Sequence, residues 1–431
     1  MAAEKNQEDQ AYTQAVKSGL YAKKSGLTGK YDNVRRYWED EVTRECLRPF
    51  MLQLLERAKE KCRRIRILDL GCGSADGFEL LTGVRERDPG LYSIEVDLLT
   101  PQHLGLYKGV ELNQELLEQA REIYDDNPKM VFQQGDFCDG LPLPKDEPPY
   151  DLYFMSYGTS SHHNDDETMV KMLADIADRT EDYAIVVCDW LGRYSYEWQN
   201  LWVQNPEELK NMDYAISYIY DKEEREKRRD ELQHLTLRLM SRPEIDDILK
   251  KVNEKSGATI KPLSVFDRST LTGRHIDTGD YNPGAQPIRE SINSLHEPNL
   301  RTNLHHLRFD YVPKQEFDFL NDYFEQVQVC WNIVVDYTCK LLANYDIDAE
   351  RLKIEDQPVP ASYPEPLRVA MHKVRHLIEG VGWLQRGLPR ENVIEPQLGY
   401  VLRDLVMGLQ KGQGCSHGLV GIFEINKSSN R

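Results

Sequence analysis

A glycine-rich turn follows an apolar run near residue 70, and it is the feature of this sequence best suited to chemistry. Residues 67–77 read ILDLGCGSADG, and an amphipathic helix is predicted from about Phe78. Glycine has no Cβ and tolerates positive φ, so the backbone of such a turn can approach a ligand closely. The helix N-terminus after it presents unpaired N–H groups. Strand, glycine turn and helix in this order predict a nucleotide-type cofactor site of the doubly wound kind.

Three further polar positions follow the turn along the chain. Glu111 ends a second apolar run, where a carboxylate can accept both hydroxyls of a ribose. Asp136 comes just after a third run, in position to read an adenine amino group. The loop after a fourth run, residues 157–164, contains the adjacent pair His162 and His163. Together with the turn, these positions indicate a nucleoside-bearing cofactor beside a polar loop.

The elements that must position these residues alternate between strands and helices. Strands are predicted at Arg66–Leu70, Lys108–Leu112, Met130–Gln133, Leu152–Ser156 and Ala184–Asp189, and the helices between them include Gln114–Tyr124 and Glu167–Ala177. This alternation predicts a parallel sheet. Leu419–Ile425 is a candidate for a last short strand.

Three segments in this order resemble the class I S-adenosylmethionine-dependent methyltransferases. They are LDLGCGSADG, GVELNQELLEQARE and GDFCDGLPLPKDEPPYDLYFMS, which match the family's glycine turn, ribose-acid strand and adenine-acid turn with its fourth strand. The resemblance covers about residues 60–190 and continues more weakly to about 312. It implies an α/β fold, a Rossmann-like seven-stranded sheet with an antiparallel last strand. Strand six is then expected at Ile260–Phe266 and strand seven at Leu304–Tyr311.

The domain organisation follows from these assignments. Residues 1–64 are expected to form an N-terminal helical lid region, and 65–312 the S-adenosylmethionine-binding domain with a helical insertion at 195–255. Residues 313–431 are expected to form a mainly helical C-terminal extension that caps the pocket or serves as a homodimer interface. Trp331 and Trp383 are interpreted as core residues of that extension.

The resemblance also assigns the residues that bind S-adenosylmethionine and its product S-adenosylhomocysteine. Asp69 is expected either near the methionine amino group or as a cap of the turn. The other residues lie in the glycine turn or at the ends of the second, third and fourth strands. The full set is Asp69, Gly71, Cys72, Gly73, Glu111, Leu112, Asp136, Phe137 and Ser156.

The ribose acid departs from the usual spacing. A separation of about 20 residues from the turn is typical, whereas Glu111 lies 38 residues after Gly73. Glu95 and Asp97 are nearer alternatives. We prefer Glu111 because the helix after it has the family's pattern, which makes residues 90–106 an insertion.

Methyl transfer requires alignment of the acceptor with the methyl group and, for a hydroxyl or amine, a base. His162 or His163 is the first candidate for that base, and Asp189 at the end of the fifth strand is another. The alternative is that these residues are surface or capping groups. Substrate contacts are expected from an arginine-bearing loop and its neighbours, because guanidinium pairs carboxylate or phosphate bidentately. This set is Tyr157, Arg193, Arg268, Arg274, His275 and Tyr281.

Composition excludes several partners. The 72 acidic and 54 basic side chains give a net charge of −18, which disfavours nucleic acid. No apolar run is long enough to span a membrane. Residues 1–15 are polar and the eight cysteines form no CxxC pair, so we expect a cytoplasmic protein without a metal site.

The leading hypothesis is transfer of a methyl group to an O or N atom of a small, anionic molecule. A protein or peptide methyltransferase is the first alternative, since the acidic surface would attract basic substrates. A non-catalytic cofactor-binding scaffold subunit is the second. A nicotinamide dehydrogenase is disfavoured by the position of the downstream acid.

Overall fold

The computed structural model describes residues 11–21, 26–88, 94–346, 349, 351–355, 358–381 and 388–427 of the 431-residue chain. Its strands are β1 (Ile65–Leu70), β2 (Arg85–Asp88), β3 (Ile94–Asp97), β4 (Leu104–Glu111), β5 (Met130–Gln134), β6 (Leu152–Met155), β7 (Tyr183–Gly192), β8 (Asn211–Ala215), β9 (His234–Met240), β10 (Thr259–Asp267), β11 (Tyr345–Asp346), β12 (Arg351–Leu352) and β13 (Gly418–Asn426).

The helices flank the strands along the whole chain. They are α1 (Asp40–Glu60), α2 (Asp76–Thr82), α3 (Gln114–Ile123), α4 (Asp166–Arg179), α5 (Lys222–Lys227), α6 (Arg242–Lys255), α7 (Ile288–Leu295), α8 (Asp318–Ala343), α9 (Glu365–Gly380) and α10 (Glu395–Leu409). Side-chain caps fix where those beside the sheet begin. Asn113 accepts the Leu116 N–H before α3, and Asp165 accepts the Thr168 N–H before α4.

One sheet dominates the described part of the chain. Its path runs β10-β13-β7-β6-β1-β4-β5, and β9 and β8 extend from the end of β7. Strands β5, β4, β1, β6 and β7 are mutually parallel, as the alternating sequence pattern predicts. Their carboxyl ends, where Glu111 and the glycine turn lie, therefore meet at one edge of the sheet. The predicted α/β class and Rossmann-like sheet are confirmed.

The antiparallel last strand is confirmed, but its predicted position at Leu304–Tyr311 is wrong. The antiparallel strand is β13, which lies between β7 and β10 and runs opposite to both. Residues Leu304–Leu307 instead form a 3-10 helix, and helix α8 satisfies the backbone after it: Asn332 bonds both the N–H and the C=O of Phe309. Along the chain, helices α7 to α10 therefore come between β10 and β13, the last two strands of the sheet.

The segment 195–255 is not wholly helical, which corrects a second expectation. Strands β8 and β9 pair antiparallel within it, and Leu239 of β9 pairs with Leu191 at the end of β7. The run His234–Met240 alternates apolar and polar residues, which is the period of a half-buried strand. Its proximity to the charged run at 221–230 obscured that alternation.

The insertion expected at residues 90–106 includes only the second strand of a separate two-stranded ribbon, whose first strand lies just before it. Strands β2 and β3 pair antiparallel, with Arg85 opposite Asp97. The main-sheet strand β4 begins only after the ribbon and ends at Glu111. The ribbon therefore accounts for the long spacing between the glycine turn and Glu111.

Helix α8 packs against the N-terminal segment, by which we mean the described residues before β1. Trp331 of α8 is fully buried and lies 6.3 Å, ring to ring, from Trp38. Its predicted core position is thus confirmed, whereas Trp383 lies outside the described residues. No helix in the described ranges is both long and apolar enough to cross a membrane.

Candidate active site

A cleft opens at the carboxyl ends of β1, β4, β5 and β6. Its empty volume is about 870 Å³, including the part open to solvent. Its walls come from the strand ends and from the N-terminal segment. They are Tyr12, Tyr21, Lys30, Gly71, Cys72, Gly73, Asp76, Glu111, Leu112, Asn113, Leu116, Asp136, Phe137, Cys138, Ser156, Tyr157, Thr159 and His162. Eight of the nine predicted cofactor residues are in this set, and Asp69 is the exception.

The glycine turn needs glycine at two positions for different reasons. Gly71 has φ +66°, and a Cβ there would lie 2.5 Å from Cγ2 of Thr159. Gly73 has φ +56°, and a Cβ there would meet no atom within 4 Å, because it would point into the cleft. The turn therefore packs against the loop after β6 and leaves a side-chain-free cradle at Gly73.

Two backbone N–H groups, one in the glycine turn and one just after β4, hold the carboxylate of Glu111. Its Oε2 accepts the Gly73 N–H at 2.8 Å, and its Oε1 accepts the Asn113 N–H at 3.0 Å. Burial raises the pKa of Glu111, while these backbone donors act in the opposite direction. Each carboxylate oxygen keeps acceptor capacity for one more hydrogen bond, which suits two neighbouring hydroxyl groups.

The rival acid lies elsewhere. Asp97 forms an exposed ion pair with Arg85 at 3.1 Å on the β2–β3 ribbon, and it does not line the cleft. The side chain of Glu95 is outside the described part of the chain. The geometry therefore favours Glu111 as the ribose acid, which stays a prediction.

Asp136 and Phe137 form the far wall of the cleft. The Asp136 Oδ1 accepts the Cys138 N–H at 2.8 Å, which fixes the turn after β5. Phe137 is buried except for the part that faces the cleft, and its ring lies 5.4 Å from that of His163. An acid and an aromatic ring side by side can recognise a planar base with an exocyclic amino group.

Asp69 lies beneath the turn and not in the cleft. Its Oδ2 accepts a hydrogen bond from the hydroxyl of Tyr107 at 2.5 Å. Helix α2 passes directly over the carboxylate, since a Cβ on Gly77 would be 2.2 Å from Oδ2. Burial raises the pKa of Asp69 to about 8. Of the two roles considered, this placement favours support of the turn over contact with the cofactor.

Asp76 is a cleft residue that sequence reasoning missed. It accepts hydrogen bonds from the Lys30 ammonium at 2.8 Å, the Arg35 guanidinium at 3.0 Å and the Tyr31 hydroxyl at 2.6 Å. Burial alone would raise the pKa of Asp76, but Lys30 and Arg35 hold it well below its usual range. The polar N-terminal residues that contact Asp76 show no sequence pattern from which this contact could be predicted.

The two candidate histidines have different surroundings. His162 lines the cleft, and its Nε2 lies 3.3 Å from the Tyr12 hydroxyl, on the Glu111 side. His163 is buried behind Phe137, with Nε2 3.2 Å from the sulfur of Met172. Burial lowers the pKa of His163 to about 4. The structure therefore brings only His162 to the cleft, and it places it among predicted cofactor contacts.

Asp189, the other candidate base, and two of the predicted substrate arginines form internal ion pairs. Asp189 and Arg268 bond each other at 2.5 Å in the interior. Arg193 pairs with Glu244 at 2.6 Å beneath β9. None of these four residues lines the described cleft. Burial raises the pKa of Asp189, and the Arg268 guanidinium opposes that shift.

Arg274 in the loop after β10 and Arg289 in helix α7 attach the N-terminal residues Asp32 and Glu39 to this part of the chain. Arg289 bonds Asp32 at 2.7 Å and Glu39 at 2.8 Å, and Arg274 bonds Glu39 at 3.3 Å. All of these side chains are buried, and each is matched by an opposite charge. Arg274 is thus placed as an anchor of the cleft's N-terminal wall.

The remaining predicted substrate residues are split. Tyr157 lines the cleft in a strained conformation with φ +56°, and its hydroxyl donates to Asp40 at 2.9 Å. The Arg35 guanidinium stacks 4.0 Å from the centre of its ring. His275 and Tyr281 lie instead in an aromatic cluster, with ring centres 5.0 Å apart.

The order of strands now identifies the fold. When the seven strands β1, β4, β5, β6, β7, β10 and β13 are numbered one to seven in chain order, their order in the sheet is 3-2-1-4-5-7-6. The seventh, β13, runs antiparallel to both of its neighbours. The fold is that of the class I methyltransferases. No metal-binding group of three or more His, Cys, Asp or Glu side chains occurs among the described residues.

Comparisons with known proteins find only solved structures of low similarity. No family model and no curated protein matches the chain. A solved S-adenosylmethionine-dependent methyltransferase from Clostridium acetobutylicum is 15% identical, with 49% of this chain and 80% of that chain covered and a TM-score of 0.32. The amino pentose methyltransferase CalS10 from Micromonospora echinaspora is 13% identical, with 53% and 88% covered and a TM-score of 0.30. The [4+2]-cyclase SpnF is 12% identical, with 48% and 54% covered and a TM-score of 0.28. Values this low transfer no substrate or reaction.

Proposed function

We propose that this protein binds S-adenosylmethionine in the cleft and transfers its methyl group to an O or N atom of a small molecule. The observation that carries the proposal is the convergence of Gly73, Glu111, Asp136 and Phe137 on one cleft at the carboxyl edge of the sheet. In open α/β sheets, ligands bind at that edge.

The residues present fit each part of this cofactor. Glu111 offers one acceptor per oxygen to the two ribose hydroxyls, and Asp136 with Phe137 suits the adenine. Lys30 and Asp76 lie side by side in the wall with opposite charges, which suits the carboxylate and ammonium of the methionine end. The cradle at Gly73 leaves room for the chain between them.

The cofactor, when bound, supplies an electrophilic methyl group on a sulfonium. The chain's own task is to hold the acceptor atom in line with that group and to keep water away. Tyr12, Tyr21 and Lys30 of the N-terminal segment close the cleft on the side away from the strands. This closed wall favours a small acceptor over a protein side chain.

The anionic character expected of the acceptor has lost its main support. Arg193, Arg268 and Arg274 all pair with carboxylates of the chain itself. Among the described residues, these arginines thus contribute no uncompensated charge to an acceptor. We therefore propose a neutral hydroxyl or amine compound.

Calorimetry tests the cofactor assignment first. S-adenosylhomocysteine and S-adenosylmethionine should bind with one site per chain, and NAD should give no heat. Absence of S-adenosylhomocysteine binding would contradict the proposal. Tritiated S-adenosylmethionine, incubated with panels of phenols, alcohols and amines, then tests transfer. Binding without transfer to any acceptor would favour the scaffold alternative, and label on a basic peptide would favour a protein substrate.

A further inference from the structure

Tyr21 of the N-terminal segment lines the cofactor cleft and lies outside the set of residues predicted from the sequence. The residue is only 9% exposed. Its hydroxyl makes no hydrogen bond with any described residue, although the cleft wall around it is rich in polar groups. Buried polar groups in proteins are nearly always hydrogen-bonded, so a hydroxyl left over in the wall of a ligand cleft points to a partner on the ligand.

Two neighbours fix the ring of Tyr21 in the cleft wall. The Lys30 ammonium lies 4.3 Å from the centre of the ring, which is a cation–π contact. The ring of Tyr12 meets it edge-on, with the ring centres 6.0 Å apart. Both neighbours line the cleft themselves. The ring is therefore held by contacts of its own, and the hydroxyl is the group of Tyr21 that remains for a ligand.

The Tyr21 hydroxyl is a hydrogen-bond donor and not a base. Burial raises the pKa of Tyr21 well above its usual range, and the carboxylates of Asp76 and Glu111 act in the same direction. The guanidinium groups of Arg35 and Arg274 oppose this shift without cancelling it. The hydroxyl therefore keeps its proton near neutral pH. Since both carboxylates act on it, it faces the part of the cleft that Asp76 and Glu111 border.

A donor at this place needs an acceptor that the described chain does not supply. The only anionic acceptor on S-adenosylmethionine is the carboxylate of its methionine end, whereas the adenine and the ribose offer neutral acceptors. Hydrogen bonds to a charged acceptor are the stronger ones. The Lys30 ammonium beside the Tyr21 ring attracts an anion to the same part of the cleft. Tyr21 and Lys30 together thus form a two-donor site suited to a carboxylate.

We propose that the Tyr21 hydroxyl donates a hydrogen bond to the carboxylate of the cofactor, beside Lys30, and makes the cleft selective for ligands with an intact amino-acid end. The proposal rests on the proposed function. The selectivity follows because a ligand without the carboxylate leaves the hydroxyl buried and without a partner. Contact of the same hydroxyl with the methyl acceptor is the alternative, and it predicts that removal of the hydroxyl leaves cofactor affinity unchanged.

The test needs no known methyl acceptor. Tyr21→Phe removes the hydroxyl and keeps the ring that contacts Lys30. Calorimetry with the full chain measures the affinity for S-adenosylhomocysteine and for decarboxylated S-adenosylhomocysteine, which lacks only the carboxylate. Tyr21→Phe should weaken S-adenosylhomocysteine binding by about 10- to 100-fold and change the affinity for the decarboxylated probe by less than about twofold. The wild type should bind the decarboxylated probe at least about 10-fold more weakly than S-adenosylhomocysteine.

Tyr218→Phe is the matched control. Tyr218 is half-buried, and its hydroxyl also makes no hydrogen bond with a described residue. It lines a different cavity, together with Arg274, and does not line the cofactor cleft. Its replacement should leave the affinity for both probes within about twofold of the wild type. Thermal melts of the two variants check that both are folded.

Three results would overturn the inference while the proposed function stood. They are unchanged S-adenosylhomocysteine affinity in Tyr21→Phe, an equal loss for both probes, and a loss in Tyr218→Phe as large as that in Tyr21→Phe. The first would favour contact of the hydroxyl with the methyl acceptor. If the wild type binds no S-adenosylhomocysteine at all, the proposed function fails and the inference fails with it, so the two failures are distinguishable.

Discussion

Replacement of Glu111 by alanine should abolish most of the affinity for the cofactor. The carboxylate is buried, and its oxygens are aimed by the N–H groups of Gly73 and Asn113. Two hydrogen bonds from ribose hydroxyls to a charged acceptor contribute about 1.5–3 kcal/mol each. Their loss should cost about 3–6 kcal/mol, which is a decrease in affinity of roughly 10²- to 10⁴-fold.

Calorimetry with S-adenosylhomocysteine measures the effect directly. Glu111→Gln is expected to lose nearly as much as Glu111→Ala, because both backbone donors already point at the carboxylate and an amide NH₂ would face one of them. Asp97→Ala is the matched control, since Asp97 is an exposed partner of Arg85 on the β2–β3 ribbon. Its affinity should stay within about twofold of the wild type.

The opposite pattern would refute the reasoning. If Asp97→Ala lost binding and a folded Glu111→Ala kept it within threefold, the ribose acid would lie on the ribbon and not at the end of β4. Thermal melts of both variants show whether the glycine turn has survived. A Glu111→Ala protein that unfolds is replaced in the assay by Glu111→Gln, which keeps one acceptor oxygen for the turn.

Three further changes test the frame around the site. Arg289→Met leaves Asp32 and Glu39 buried without their main partner, so urea unfolding should show a loss of about 3–5 kcal/mol; a loss below 1 kcal/mol would contradict the anchoring role. Burial raises the pKa of Asp69 to about 8, so its protonated form stabilises the fold at low pH and that contribution falls as the pH rises from about 4 through 8. In urea titrations at pH 5 and 8.5, Asp69→Asn should lose less free energy of unfolding between the two pH values than the wild type does. An equal loss in the two proteins would contradict a raised pKa of Asp69. Gly73→Val places a side chain in the cradle at φ +56° and should weaken S-adenosylhomocysteine binding at least 100-fold, whereas unchanged binding would exclude the cradle as the cofactor site.

The parts of the fold that could be predicted are those written in local patterns. Strands β1, β4, β5, β6 and β7 are short apolar runs next to turn signals, and each was expected within a few residues of its place. The seventh strand depends on which of two apolar runs pairs with β7 and β10. Hydrogen bonds between distant segments settle that choice, so Leu304–Tyr311 and Gly418–Asn426 could not be ranked by their own sequence.

The residues of the candidate site also fall into a group that local patterns predict and a group that only the folded structure brings together. Gly71, Gly73, Glu111 and Asp136 sit at the ends of predicted strands, so a motif read along the chain finds them together. Lys30 comes from a polar N-terminal stretch with no periodicity. Its position depends on ion pairs formed only after folding.

The buried pair formed by His417 and Glu197, with Nδ1 2.8 Å from Oε1, shows most clearly which contacts the sequence alone could not predict. The two residues are 220 positions apart, and neither belongs to a recognisable motif. The pair His162 and His163 after the fourth strand, by contrast, is evident from the sequence because the two residues are adjacent. The structure turns one of them, His163, into the core beside Met172.

The buried arginines hold the parts of the cleft together and do not form an anion site. An arginine-bearing loop in an acidic chain predicts an anion site, yet these guanidiniums meet carboxylates of the chain itself. Arg289 and Asp32 are 257 residues apart, so their bond ties the N-terminal wall of the cleft to helix α7, which follows the loop after β10. That loop also carries Arg274, which contacts both Lys30 and His417. Closure of the cofactor cleft is therefore a consequence of this set of ion pairs, and Arg289→Met should weaken S-adenosylhomocysteine binding together with stability.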